Sequence, residues 1–379
     1  MTIDQQSAPS GSDRADPEMA QVRYALVGSG MMGQEHIRTI GLIPEACVSA
    51  IADPDPDMRS TASRLVGGSA KVFASHREMM AVADFDAVLV ASPNHTHIDV
   101  LRDVMQTDVP ILVEKPLCSS VANCREVHRL QTSRSAPVWV GMEYRYMPPV
   151  EQLLKLVRAG TAGRLHMIAI REHRYPFLDK VGDWNRHAVN TGGTLVEKCC
   201  HFFDLMRLIS GSEAARVYAS GAIDVNHLDE PHPDGPPDII DNAFVIVNFA
   251  NGMRAMLDLC MFGEGSYWQE TISATGDAAR VTASIPGPAR FSADGQERDA
   301  EIIIADRATK QETREPVPVD ETILESGDHH GSTYYQHLKF VDMVKRGGQP
   351  EVGLDDGLRA VMIGAAAEES IKTGQVVPL

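Results

Sequence analysis

Paired cysteines are missing from this sequence. Its six, Cys47, Cys118, Cys124, Cys199, Cys200 and Cys260, are scattered and never take the C-x-x-C spacing of a zinc site. They read as reduced, buried thiols of a reducing compartment. Basic residues are also short: 35 Lys and Arg against 52 Asp and Glu leave a formal charge of −17. Such a surface repels a phosphate backbone and no basic arm compensates, so nucleic acid is not an expected partner. No apolar run is long enough to cross a bilayer. The segment Met1 to Ala20 is polar, rich in Ser, Asp, Gln and Pro, with neither an apolar core nor twin arginines. It reads as a disordered tail, residues 1–21, instead of a targeting signal. These absences predict a cytoplasmic chain with no membrane partner. No internal repeat is visible.

What is present is ordinary globular material, 43% hydrophobic and 23% charged. At 379 residues the chain exceeds what one core usually organises, so two domains are expected. In the first half, apolar strands alternate with helices. Tyr24–Val27 is a strand ending at Gly28, and a helix runs from Met31 until Pro44 stops it. A second strand, Val48–Ala52, runs into Asp53, and Asp55-Pro56 supplies an N-cap and first-turn proline for the next helix. Ala87–Val90, Ile111–Val113 and Val138–Gly141 are continuous apolar runs, as expected of strands covered on both faces. The boundary falls near Tyr146-Met147-Pro148-Pro149, giving domains 22–146 and 147–379. Beyond it, Leu165–Ile170, Asp241–Phe249 and Met253–Leu259 read as longer strands, the last two joined by an Asn251-Gly252 hairpin turn. An apolar helix over Thr194–Ile209, a Pro- and Asp-rich loop over 226–238 and a C-terminal helix over 355–373 complete the pattern. The second domain is therefore α+β, with a large open, mainly antiparallel sheet.

Gly28-Ser29-Gly30-Met31-Met32-Gly33 is a G-x-G-x-x-G that follows a strand, opens a helix and has Asp53 twenty residues after Gly33. A bare glycine-rich turn is the bland alternative, but the full βαβ context makes this a dinucleotide fingerprint. Its glycines give a tight turn, close approach of the pyrophosphate and close helix packing, and the helix N-terminus faces the phosphates. The first domain is thus expected to be a doubly wound, Rossmann-type parallel sheet. Asp53 would bind the ribose hydroxyls and repel a 2′-phosphate, so NAD is the expected cofactor. Arg59, one turn into the next helix, is the residue that weighs against this.

Further motifs are Ser92-Pro93-Asn94-His95-Thr96-His97, Glu114-Lys115-Pro116, Gly192-Gly193 leading into Glu197-x-x-x-His201, and Ser332-Thr333-Tyr334-Tyr335. With the glycine motif they resemble the glucose–fructose oxidoreductase / inositol 2-dehydrogenase (Gfo/Idh/MocA) family, over nearly the whole chain. The resemblance implies a nicotinamide at the C-terminal edge of the first sheet, with substrate between that edge and the open face of the second. The implied cofactor-binding set is Gly28, Gly30, Met31, Met32, Gly33 and Asp53, then Ser92, Pro93, Asn94 and His97, then Glu114 and Lys115. Lys115 would also touch the reacting hydroxyl, its bond to Pro116 being cis. The family's Asp-x-x-x-His pair supplies the acid/base group, so Lys115, His201 and Glu197 (in place of the Asp) are the implied catalytic residues. The segment holding Arg174, Lys180, Trp184 and Arg186 would border the substrate, and Lys198 would touch it. The expected partners are a small carbohydrate and further copies of the chain, as a dimer or tetramer.

The residues read alone agree. Alcohol oxidation needs a base and a cation beside the hydroxyl oxygen, and Lys115 ends a buried strand where doubly wound folds place chemistry. Glu197, His201 and Asp204 form a polar stripe on the expected 194–209 helix. Thr194-x-x-Glu197 is also a legitimate capping box, and His201 would suit a core position. Cys199-Cys200-His201 invites a metal, but adjacent helical cysteines point about 100° apart, so no metal is expected. Tyr144 and Arg145, just past the last strand of the first sheet, are placed near the nicotinamide. His329 and His330 receive no role. Arg174, Lys180, Arg186 and Lys198 form a local cation cluster that suggests an anionic sugar, with plain salt bridges as the alternative. The leading expectation is an NAD-dependent sugar, sugar-acid or cyclitol dehydrogenase. The alternatives are a redox-neutral NAD-dependent glycoside hydrolase working through transient oxidation at C3, and a non-catalytic NAD-binding regulator.

Overall fold

Strands β1 (Val22–Val27), β2 (Ala46–Ala52), β3 (Lys71–Phe73), β4 (Ala87–Val90), β5 (Ile111–Glu114) and β6 (Val138–Gly141) pair in parallel in the order β3-β2-β1-β4-β5-β6. This is a computed structural model that describes residues 21–379 apart from Asp234 and Ala293; residues 1–20 of the expected tail lie outside it. Every residue of β4, β5 and β6 is buried, because helices cover both faces. The connecting helices are α1 (Met31–Ile40), α2 (Pro56–Leu65), α3 (His76–Val82), α4 (His97–Val104) and α5 (Val121–Gln131). Asp55 caps α2 as expected, accepting from the Asp57 and Met58 N–H groups. Strand order reverses between β1 and β4, so their C-terminal ends open the crevice where such sheets bind ligands.

A 3₁₀ turn over Glu143–Tyr146 and helix α6 (Pro148–Arg158) lead into the second sheet. Its strands are β7 (Leu165–His173), β8 (Ala214–Ala222), β9 (Asn242–Phe249), β10 (Arg254–Cys260), β11 (Glu270–Gly276), β12 (Ala279–Ile285), β13 (Ala300–Asp306), β14 (Glu312–Val317) and β15 (Val377–Pro378). Their order is β14-β13-β12-β11-β7-β10-β9-β8-β15, antiparallel except for β7 with β10. The Asn251-Gly252 turn joins β9 to β10, with Gly252 at φ 87°. Period-two alternation turns Ile168, Ile170 and Glu172 of β7 inward, while Met167 and Ala169 face outward.

Over 194–209 the expected single helix is two. Short helices α7 (Ala188–Thr191) and α8 (Thr194–Glu197) precede α9 (Cys200–Ser210), with Lys198 and Cys199 between. The Lys198 N–H bonds the Thr194 carbonyl at 2.9 Å and the Cys199 N–H reaches back to the same oxygen at 3.4 Å, a π-type widening. The helix therefore breaks between Glu197 and Cys200, and the regular helical period is interrupted there. The capping box also fails: Gly193 is the N-cap, and the Thr194 hydroxyl donates to the Ile240 carbonyl at 2.6 Å.

The C-terminal helices do not belong to the second domain alone. After α10 (Glu321–Glu325), helix α11 (Ser332–Arg346) places Phe340, Val341 and Met343 in the core of the first sheet. Helix α12 (Leu354–Thr373) gives Leu354, Ala360 and Val361 to that core and Ile363, Ala366 and Ala367 to the other. A Cβ at its Gly357 would meet Leu117 and Val140 at 3.1 Å, so glycine lets α12 lie close against the first domain.

Candidate active site

The glycine turn is shaped for a dinucleotide. A Cβ on Gly28 would fall 2.6 Å from the Ser92 backbone, and one on Gly33 would fall 2.2 Å from the Gly28 carbonyl, so packing demands both glycines. A Cβ on Gly30 would meet nothing within 4 Å. That open space lies at the N-terminus of α1, which starts at Met31 and Met32 with no capping side chain and no acid in its first turn. Free N–H groups and the positive end of the helix dipole fit a pyrophosphate there. Asp53 Oδ2 accepts from the Ser29 N–H at 2.6 Å, and Oδ1 from the Asp55 N–H at 2.9 Å, so this acid also holds the turn. Arg59 folds its guanidinium back onto the Asp53 and Pro54 carbonyls, at 2.7 and 2.8 Å, and those bonds compete with any 2′-phosphate for it. Past Ser92 and Pro93, the buried Nδ2 of Asn94 has no protein partner. His97 is a support for this loop: its two ring nitrogens each lie 2.9 Å from a carbonyl, of Pro116 and of Ser92. Burial lowers its pKa.

Lys115 ends β5 and its bond to Pro116 is cis, as the sequence resemblance implied. Its Nζ lies 3.5 Å from the Glu197 carbonyl oxygen. Burial opposes its charge, but Cys200, Glu143, Glu114 and Glu197 around it outweigh burial and hold its pKa above the ordinary lysine value. Glu114 ends a buried chain that no sequence motif announced. Its Oε1 is 3.0 Å from His36 Nε2, His36 Nδ1 is 2.8 Å from His337 Nε2, and His337 Nδ1 is 3.2 Å from the Tyr24 hydroxyl. With a carboxylate at one end, the donors run one way, from Tyr24 through both histidines to Glu114. Burial disfavours that carboxylate, yet the His36 bond and nearby cations leave its pKa lowered.

Opposite Lys115 sits His201. Tyr144 stacks on its ring at 4.1 Å and 6°. Nε2 is 3.5 Å from Glu143 Oε1, and neither ring nitrogen nor either Glu143 oxygen has a hydrogen-bond partner. Burial, then Lys115 and Lys198, push the imidazole pKa well below its usual value, so it is neutral. Burial and the Glu114 charge raise Glu143 to about 7. Lys198 Nζ donates to the Tyr144 hydroxyl at 2.5 Å and pairs with Glu172 at 2.8 Å. Burial lowers the Lys198 pKa. Glu172 and Glu270 sit side by side on β7 and β11, and burial with the Glu172 charge raises Glu270.

Several expected roles change. Glu197 makes no hydrogen bond to His201; its Oε1 pairs with Lys180 at 3.2 Å. Lys180 in turn lies over the Trp184 ring at 4.5 Å, and Trp184 meets His95 edge-on. Arg186 is buried and spent on Asp179 at 2.8 Å and Glu230 at 2.7 Å. Arg174 lies over Tyr175 and 3.7 Å from Glu172. Arg145 grips Asp204 through two bonds of 2.6 Å, which removes Asp204 from the polar stripe. Glu172 and Lys198 lie on the helix-covered face of the second sheet, so that inner face borders the cluster, not the open one. His329, given no role from sequence, faces Tyr144 and pairs with Glu35 of α1 at 2.9 Å. Burial opposes its charge, but Glu35 raises its pKa to about 9. Cys199 and Cys200 are buried, with thiol pKa values pushed up by burial, that of Cys200 to about 12.

A dinucleotide cradle beside a buried lysine and an unpartnered histidine defines an NAD-binding oxidoreductase. Residues 22–142 match the oxidoreductase family's NAD-binding Rossmann fold and residues 155–379 its C-terminal alpha/beta domain, so the chain belongs to the Gfo/Idh/MocA family. It is 25% identical over 362 residues to a myo-inositol 2-dehydrogenase of Thermotoga maritima, covering 94% of this chain and 98% of that one. It is 29% identical over 195 residues to the rhizopine catabolism protein MocA of Rhizobium meliloti, covering 52% of this chain and 59% of that protein. Its fold is similar to a levoglucosan dehydrogenase solved with NADH and levoglucosan, with a TM-score of 0.79 at 19% identity, covering 94% and 99% of the two chains. Among the described residues no helix is long and apolar enough to cross a membrane.

Proposed function

We propose that this enzyme oxidises a ring hydroxyl of a sugar or cyclitol. The observation that carries this is the buried, unpartnered pair of His201 nitrogens beside the Lys115 cation. Bound at the α1 cradle through Gly28, Gly30, Gly33 and Asp53, with Asn94 and the loop that His97 supports, NAD supplies the hydride acceptor. Lys115 donates to the hydroxyl oxygen and stabilises the alkoxide that develops as the proton leaves. Neutral His201 takes that proton. Tyr144 stacks on the His201 ring and Lys198 holds the Tyr144 hydroxyl, so these two would offer polar contacts to neighbouring hydroxyls. The relatives named inositol 2-dehydrogenase and levoglucosan dehydrogenase support a neutral, polyhydroxylated ring. Incubation with NAD and a panel of cyclitols and sugars is expected to give NADH with intact substrate skeletons. Release of many aglycones from an aryl glycoside without NADH would transfer the reading to redox-neutral hydrolysis. Bound NAD with no turnover on any member of the panel would leave a regulator.

Charge balance favours a neutral over an anionic substrate. Lys198 and Arg174 face Glu172, Lys180 faces Glu197, and Arg186 faces Asp179 and Glu230, so the cation cluster is already neutralised. A neutral hexose or inositol is expected to have a higher kcat/KM than the corresponding uronate or phosphate at every salt concentration. A higher value for the anion, falling steeply with salt, reverses this assignment.

The chain is further proposed to assemble with copies of itself through the open face of the second sheet. Tyr218, Ile246 and Met256 lie opposite one another on β8, β9 and β10, all exposed, and Phe244 extends the patch. A contiguous apolar row of this kind marks an interface. Sedimentation is expected to show a dimer or tetramer, and Phe244→Glu with Ile246→Glu to shift it toward monomer. A monomeric parent protein rejects the assignment.

A further inference from the structure

We propose that Glu143, and not Glu197, is the carboxylate that works with His201, the two forming one proton-accepting pair for the substrate hydroxyl. This rests on the dehydrogenase reading and deepens it. Glu143 opens the 3₁₀ turn directly after β6, where the chain leaves the first domain. Its side chain is 1% exposed, and both oxygens lack any hydrogen-bond partner. A buried carboxylate left this way costs free energy unless something else comes to it. Its Oε1 faces His201 Nε2 across 3.5 Å, and both His201 nitrogens are equally unpartnered. Two orphaned, complementary groups in contact are prepared to share a proton. Glu197 has no such contact: its Oε1 pairs with Lys180, its Oε2 is unpartnered, and neither oxygen is bonded to His201.

The groups facing Glu143 come from every neighbouring element. Glu114 and Lys115 approach from the end of β5, Cys200 and His201 from α9, His329 from the loop before α11, and Tyr144 is adjacent on its own turn. Burial and Glu114 disfavour the carboxylate, while His329 and Lys115 favour it, which leaves a group near pKa 7. The hydroxyl O–H bond breaks and its proton passes to the pair, ending on the Glu143 carboxylate as the stronger base. The carbon-bound hydrogen would leave with its electron pair as hydride, for which NAD held at the α1 cradle would be the acceptor, while the electron pair left on oxygen would complete the carbonyl. The acceptor must be ionised at the start, so turnover rises with pH through the Glu143 pKa. His201, neutral throughout this range, does not impose that limb.

The test uses the holoenzyme and a polyol on which the parent enzyme turns over, so absence of any substrate counts against the dehydrogenase reading alone. Glu143→Gln is expected to lower kcat about 10²-fold with KM and NAD affinity unchanged, and to abolish the rising limb near pH 7. Glu197→Gln is expected to keep that limb. Independently of turnover, the carbonyl-stretch band of a protonated carboxyl, followed by difference infrared spectroscopy, is expected to titrate near pH 7 in the parent and to vanish in Glu143→Gln. Should Glu143→Gln fail to fold, Glu143→Asp decides: it widens the gap to His201, so kcat must fall and the limb must move. An unchanged kcat and limb in whichever variant folds overturns the proposal, as does loss of the limb in Glu197→Gln instead.

Discussion

Lys115→Met is expected to lower turnover by about 10²–10⁴-fold, with the protein folded and NAD bound as before. Methionine keeps the length and apolar stem of the side chain but has no charge and no donor. The site loses the cation that would stabilise the developing alkoxide, and it also loses the partner of two buried acids. Glu114 and Glu143 both feel the Lys115 charge, which favours their ionised forms. Removing it raises both carboxyl pKa values, so the residual activity of Lys115→Met should move to higher pH. His201→Ala should fall by a comparable factor with NAD binding retained, because Tyr144 can close over the lost ring without disturbing α1. Steady-state rates over a pH series, with NAD affinity from fluorescence titration, check both. Turnover within tenfold of the parent in Lys115→Met would move the electrophilic role to another group, and Lys198 is the nearest candidate.

Arg145→Met is expected to destabilise the fold by about 3–5 kcal/mol, the usual cost of stranding one partner of a buried ion pair. Its guanidinium holds both oxygens of Asp204 at 2.6 Å and the Glu351 carbonyl at 2.9 Å. Through those bonds it ties the turn after β6 to α9 and to the segment leading into α12. Burial pushes the Asp204 pKa up and Arg145 pulls it down, so without the arginine Asp204 must take a proton or remain charged without a partner. Equilibrium urea unfolding should show a lower midpoint, and Arg145→Met with Asp204→Leu should recover part of the loss. A single variant as stable as the parent would mean that Asp356, 3.4 Å from Arg145, and Arg207 already carry the network.

Both experiments act on residues that differ in how readily sequence exposes them. Lys115 is legible because its motif is local: a buried strand, an acid, a lysine and a proline in succession permit few other conformations. Gly28, Gly30 and Gly33 are legible for the same reason, since the turn, the open phosphate space and the helix contact all lie within one loop. Five of the six parallel strands and the β9–β10 hairpin follow from continuous or alternating apolar runs and an Asn-Gly turn, whereas the three-residue β3, with Lys71 and Val72 exposed, carries no such run. Arg145 and Glu143 are different. Nothing near them in the chain says that one is a structural clamp and the other an orphaned acid.

The α8–α9 segment shows why. Reading a stripe through Glu197, His201 and Asp204 assumes a regular period of 3.6, and one widened turn at Lys198–Cys199 breaks it. After that, each acid goes to a cation from elsewhere: Glu197 to Lys180, Asp204 to Arg145. The same long-range pairing spends Arg186 on Glu230 and gives the unremarked His329 to Glu35, 294 residues away. Backbone propensity, apolar periodicity and glycine geometry act over a few residues, so the order of residues alone decided the two-domain plan, the cofactor cradle and the position of Lys115. Desolvation and charge pairing act through space, so only the tertiary structure decided which acids are neutralised, and that His201 and Glu143 are left facing each other without partners.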